Sequence, residues 1–183
     1  MCHFVTTVLP KTASIVELDA IARKYGHQFE PLANPSIERQ IAPDERYFMT
    51  TLGHCDCGTP LGALTQGQRK RAKDWATLEQ QLLRKGWSKA KVTRHISQKQ
   101  EKLDSSAESA AHSNAKAIQS WLDFIADVLN SGKTSKLGLL LHFYSGSVGG
   151  QINLAGRQTV KRADLSADVL GNLREDTLYE FQK

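Results

Sequence analysis

Hydrophobic and polar positions follow one period at the start of the chain, another through its middle, and return to the first towards the end. Residues 3 to 9 are rich in β-branched and aromatic side chains and are closed by Pro10, which predicts a strand. Ser14-Ile15-Val16-Glu17 has the form of a capping box, and Ile15, Leu18, Ala22 and Tyr25 follow at helical spacing up to Gly26. Pro31, Pro35 and Pro43 then mark short extended pieces and turns leading into a second strand over 46–52. The opening therefore reads β-α-β.

From Thr65 the period is helical. Ala72, Trp75, Leu78 and Leu82 fall on one face of a helix that Thr65 would cap and that ends near Lys85-Gly86. Ser88 would cap a second helix carrying Val92, Ile96 and Leu103, and Ser105-Ser106-Ala107-Glu108 would open a third. Ile118, Trp121, Leu122, Ile125, Val128 and Leu129 form the most apolar helical stripe in the chain, so it is expected to pack on the sheet. Leu137 to Phe143 is an apolar run with the length of a buried central strand. Beyond the glycine-rich loop 145–150, a hairpin is expected over 152–161, a short helix capped by Ser166, and an edge strand over 177–181. The pattern predicts a single α+β domain spanning 1–183: a mixed or antiparallel sheet, helices packed on one face, and a projecting basic helical hairpin over 65–104 inserted between its strands.

With 183 residues, the chain is long enough to bury roughly two thirds of its unfolded surface without staples. Its 40% hydrophobic content and 5 prolines exclude a disordered or fibrous chain. No window approaches the ~18 apolar residues of a membrane span, and the N-terminus lacks the form of an export signal, so a cytoplasmic location is expected. An odd number of cysteines, three, then favours thiolates, metal ligands or buried thiols over a disulfide framework.

Those cysteines are grouped. Cys55 and Cys57 stand beside His54 in Leu52-Gly53-His54-Cys55-Asp56-Cys57-Gly58, while Cys2 stands beside His3. Both groups adjoin β-like runs, so neighbouring strands would bring the three sulfurs together. Cys2, Cys55 and Cys57 with either His3 or His54 would supply the four N/S ligands that tetrahedral Zn²⁺ takes, although Cys-x-Cys is closer than the usual spacing of two to four residues. Three other readings stand beside this one. The cysteines can be small buried hydrophobes with His54 bonded to backbone. They can be redox thiols, but the Cys-x-x-Cys spacing at a helix start is missing. Finally, Cys2 or Cys55 can be a nucleophile with His54 or His142 as base, including an N-terminal Cys2 exposed by removal of Met1. The 145–150 loop lacks the lysine and glycine spacing of a phosphate cradle.

The charge changes the picture in one segment. Residues 66–104 hold eleven Lys/Arg against four acids, a net of +7, so the chain's +5 leaves −2 elsewhere. The run from Leu82 to Ile96, with Gly86 in a turn and Ser88 as cap, resembles a helix-turn-helix unit. That resemblance implies that Lys89, Lys91, Thr93, Arg94 and Gln98 would face DNA. A solvated basic face is the plain alternative, and an acidic protein fits the charge equally well. The expected binding surface comprises Arg69, Lys70, Arg71, Lys73, Lys89, Lys91 and Arg94. Together these features favour a binding protein with a structural or metal-holding Cys/His cluster, possible zinc, and a basic surface for an acidic protein or nucleic acid, over a cysteine-dependent enzyme.

Overall fold

The structure is a computed structural model describing residues 2–57, 59–63 and 75–183. Two compact units divide the chain: one of Met1–Thr65 with Lys116–Lys183, the other of Gln66–Ala115.

The first unit is built on a six-stranded mixed sheet: β1 (Cys2–Pro10), β2 (His27–Pro31), β3 (Glu45–Thr51), β4 (Lys136–Tyr144), β5 (Gly156–Lys161) and β6 (Thr177–Gln182), in the order β2-β3-β1-β4-β6-β5. All neighbours are antiparallel except β5 and β6. The α+β expectation therefore holds, and the sheet is of the mixed kind. β6 is internal rather than an edge, because the stretch expected to form a hairpin instead sends only β5 into the sheet, parallel to β6. Residues 152–154 form no strand. Gln40 takes up their backbone instead, donating to the Ile152 carbonyl and accepting from Leu154 N–H.

Alternation along the strands gives the sheet two apolar faces. Val5 and Leu9 of β1, Phe48 of β3, Leu137, Leu139 and Leu141 of β4 and Tyr179 and Phe181 of β6 join one core. It is covered by α1 (Ile15–Lys24), α6 (Ala167–Gly171) and the C-terminal turns of α5 (Lys89–Asn130), where Trp121, Phe124, Ile125, Val128 and Leu129 are buried. Val8, Tyr47, Leu140, Tyr144 and Leu178 face the other way. Contrary to the expectation of helices on one face only, the short α2 (Pro35–Glu38) covers this side, bringing Ile37 under it together with Ile152. Gly138 leaves room at the crossing of this face, since a Cβ there would lie 3.1 Å from both Val8 and Leu178, tighter than ordinary contact.

The helix starts were read only in part. Ser166 caps α6 as expected, its hydroxyl accepting from Val169 N–H at 3.4 Å. Ser14 makes no side-chain cap bond, and Glu17 pairs with Lys133 at 2.5 Å instead. Pro60–Ala63 form a short helix, α3, that the pattern did not announce.

In the second unit, α4 (Trp75–Arg84) is followed by a turn with Gly86 at φ +81° and then by α5. Gly86 suits that left-handed turn because it has no Cβ. The expected helix start at Ser105–Glu108 is not used, and α5 runs unbroken from Lys89 for 42 residues. The proposed Thr65 cap and Arg69, Lys70, Arg71 and Lys73 lie outside the described residues.

Candidate metal centre

β1 and β3 run antiparallel with Thr6 opposite Met49, so the start of β1 lies beside the end of β3. That register carries Cys2 to the segment that follows β3. There the sulfurs of Cys2, Cys55 and Cys57 all lie within 4.8 Å of one another. Cys2 and Cys55 are half-buried and Cys57 is exposed, which removes the reading of three small buried hydrophobes.

Local chemistry explains why the chain turns here. Asp56 is buried, 5% exposed, and its carboxylate accepts the Val5 N–H at 2.7 Å and the Thr51 hydroxyl. Its own N–H donates to the His3 carbonyl at 2.8 Å, and the His3 N–H donates to Cys57 Sγ at 3.2 Å. The Cys-Asp-Cys segment is therefore laid along β1 where β3 has ended, an arrangement suited to aspartate because it bonds readily to nearby backbone in turns. Thr59 closes the turn, donating both its N–H and its hydroxyl to the Asp56 carbonyl at 2.9 Å.

The electrostatics distinguish the thiols. The backbone N–H of Cys57, then the Cys57 and Cys2 side chains, hold the Cys55 thiol below the usual cysteine range. Cys2 is raised, first by its hydrogen bond with Cys55 and then by burial. Burial also raises Asp56, against the opposing pull of Thr51 and the Val5 N–H. One sulfur thus carries negative charge more readily than its neighbour, as expected where thiols share protons at close range.

The histidines fall into different places. His3 is buried, 3% exposed; its ring lies against Phe143 with centroids 4.8 Å apart, and Nε2 is 2.7 Å from Oε1 of Glu175. His54 is exposed. Among the described residues, the mutually close ligand atoms are the three sulfurs, without His3 or His54. His142 directs Nδ1 to Asp176 and packs edge-on against Tyr144, so neither His3 Nε2 nor His142 Nδ1 is spent on a sulfur. Asp176 has φ 60°, a left-handed conformation that aspartate tolerates better than most residues. Successive carboxylates, Glu175 and Asp176, thus hold the two histidines at this end of the sheet. Glu175 was missed from sequence, where nothing links it to His3; Asp56 stood in the named stretch, and a buried turn-forming acid between two cysteines was the available signal.

In the second unit, Lys89, Lys91 and Arg94 are exposed on α5, as are Arg84 and Lys85 before it. The Lys91 ammonium lies 4.2 Å from the centre of the Trp87 ring, and the His95 ring lies 5.3 Å from it. No helix of the described residues is long and apolar enough to cross a membrane.

Compared with known proteins, the chain matches no family model, no curated protein and no solved structure.

Proposed function

We propose that this is a metal-holding binding protein whose centre is Cys2, Cys55 and Cys57, with zinc the ion that this donor set suits. One observation carries the reading: three sulfurs from two separate parts of the chain lie within 4.8 Å of one another without a bridge. At a Zn–S distance of ~2.3 Å, tetrahedral geometry sets neighbouring thiolates ~3.8 Å apart, so the sulfurs need close by no more than about 1 Å. The Cys57 backbone favours Cys55 as the thiolate, and the His3 N–H, donating to Cys57 Sγ at 3.2 Å, holds that sulfur in position. Binding would release the protons that remain and tie β1 to the segment after β3.

Elemental analysis of the purified chain, paired with thiol titration before and after chelation, tests this. One metal per chain, with three thiols becoming reactive on its removal, is the expected result. Three freely reactive thiols in a protein that takes up no added zinc would sink the proposal.

A second surface is favoured by the exposed bases of α5. Segment 66–104 is read as a basic helical hairpin whose Lys89, Lys91 and Arg94, with Arg69, Lys70, Arg71 and Lys73, meet an acidic partner, nucleic acid or protein. Titration of a mixed-sequence duplex at several salt concentrations separates the two partners. Nucleic-acid binding gives a log–log salt slope of about −0.9 per phosphate contact, flattened when the three α5 residues are neutralised. An acidic protein shows only ordinary screening, and a flat response to both partners would leave these bases as a solvated face.

A further inference from the structure

A structural zinc site is closed by four protein ligands, whereas a site with three leaves a position for a ligand from outside. Among the described residues, two of the nearby donors that could close this one are otherwise engaged and a third stands outside the group. His3 is enclosed, with Nε2 on Glu175 and its ring against Phe143. Asp56 turns its carboxylate inward to the Val5 N–H and the Thr51 hydroxyl. The ring nitrogens of His54, although it precedes Cys55 directly, do not join the group of mutually close ligand atoms. Meanwhile the outer side of the centre is open, because Cys57 is exposed and Cys2 and Cys55 are only half-buried.

We propose that the three-thiolate centre holds its metal with one coordination position open to solvent, where it accepts a single nitrogen or sulfur donor from outside the chain. This rests on the metal reading above and gives it a purpose beyond bracing the fold. Three thiolates more than offset the charge of a divalent ion and keep it in place, while the fourth position exchanges. Soft and borderline donors suit such an ion: a neutral imidazole completes an S₃N set and a thiolate an S₄ set, both ordinary for zinc. The hydrogen bond from the His3 N–H keeps Cys57 Sγ in place during that exchange, since it comes from the chain's own backbone.

Cobalt(II) substituted into the full chain reports coordination through its visible bands. Imidazole and 2-mercaptoethanol are titrated separately, with cobalt retention checked by gel filtration. A saturable band shift at one ligand per metal, with cobalt still on the protein, is the expected result, and added sulfur-to-metal charge-transfer absorption with the thiol alone separates the two donor classes. Bands unmoved by either ligand would show that the chain completes its own tetrahedron, overturning the open position while leaving the metal centre standing. One cobalt per two chains would overturn it as well, a second copy then supplying the missing donor. Stripping of the metal by either ligand would count against it in the same way. Failure to bind cobalt with all three thiols reduced would overturn the metal reading itself, and a Cys2→Ser, Cys55→Ser, Cys57→Ser variant must show no bands.

Discussion

His3 and Glu175 stand 172 residues apart in sequence and 2.7 Å apart in the structure, the ring nitrogen of the one against the carboxylate of the other. The backbone of the same histidine donates to Cys57 Sγ and accepts from Asp56 N–H. His3 therefore fixes the position of the cysteine segment from its main chain while its side chain is fixed by Glu175. Glu175→Ala leaves a buried ring nitrogen without its partner, at a cost of ~1–3 kcal/mol. Glu175→Gln keeps an acceptor and should cost less. Urea unfolding of both variants beside the parent checks the order, and midpoints for both equal to the parent's would show that the carboxylate contributes nothing to holding the ring.

Trp121 is 3% exposed, stacks on His27 at 3.9 Å between centroids and meets Phe124 at 5.6 Å. Its truncation opens a cavity that neither neighbour can fill without leaving its own contacts. Trp121→Ala should cost ~3–5 kcal/mol. An unfolding midpoint unchanged from the parent would mean that the stripe on α5 does not bear on the sheet.

That stripe shows what kind of information a single sequence carries. Ile118, Trp121, Leu122, Ile125, Val128 and Leu129 could be read as one helical face because their spacing is set by the helix itself, and β1, β3 and β4 could be read because branched and aromatic residues mark them. The convergence of Cys2 with Cys55 and Cys57 followed from one further assumption, that two similar strands are neighbours. Long-range relations with no local signature stayed hidden. Nothing near Thr177 says that β6 lies between β4 and β5, since the choice between hairpin and parallel pairing is made by how Gln40 and Asn34 hold the preceding loop. Likewise, the serines at 105 and 106 read as a cap, but a helix already in progress at Lys89 passes through them. A cap lowers the cost of starting a helix and does not oblige one to stop.

His27 couples this core to pH. Burial against Trp121 and Phe124 lowers its pKa from 6.5 to about 4. The folded state therefore keeps the ring neutral where the unfolded chain has already taken up a proton. Its contribution to stability is fully present above pH 6.5 and is lost as pH falls through that value towards about 4. The shift corresponds to roughly 3 kcal/mol over that window. Urea midpoints measured between pH 7 and 4 should fall for the parent and fall less for His27→Phe; parallel curves would refute the assignment.

Asn34 governs the opposite face. Fully buried, its side-chain oxygen accepts the Ser36 N–H and hydroxyl and the Ile37 N–H, capping α2, while its amide donates to the Val148 and Gly150 carbonyls. One side chain thus starts a helix and anchors the glycine-rich loop that delivers Ile152 to the core. Asn34→Ala removes both functions and should cost ~2–4 kcal/mol, more than an exposed cap would, because the abandoned Ser36 and Ile37 N–H groups are shielded from water. Asn34→Asp separates the two roles. The carboxylate still accepts from Ser36 and Ile37, but it can no longer donate, and its oxygen would face the Val148 and Gly150 carbonyls. Hydrogen exchange should then report α2 protected as in the parent and the loop over 148–152 opened. If instead α2 loses protection first, the cap rather than the loop anchor is the main contribution of this residue.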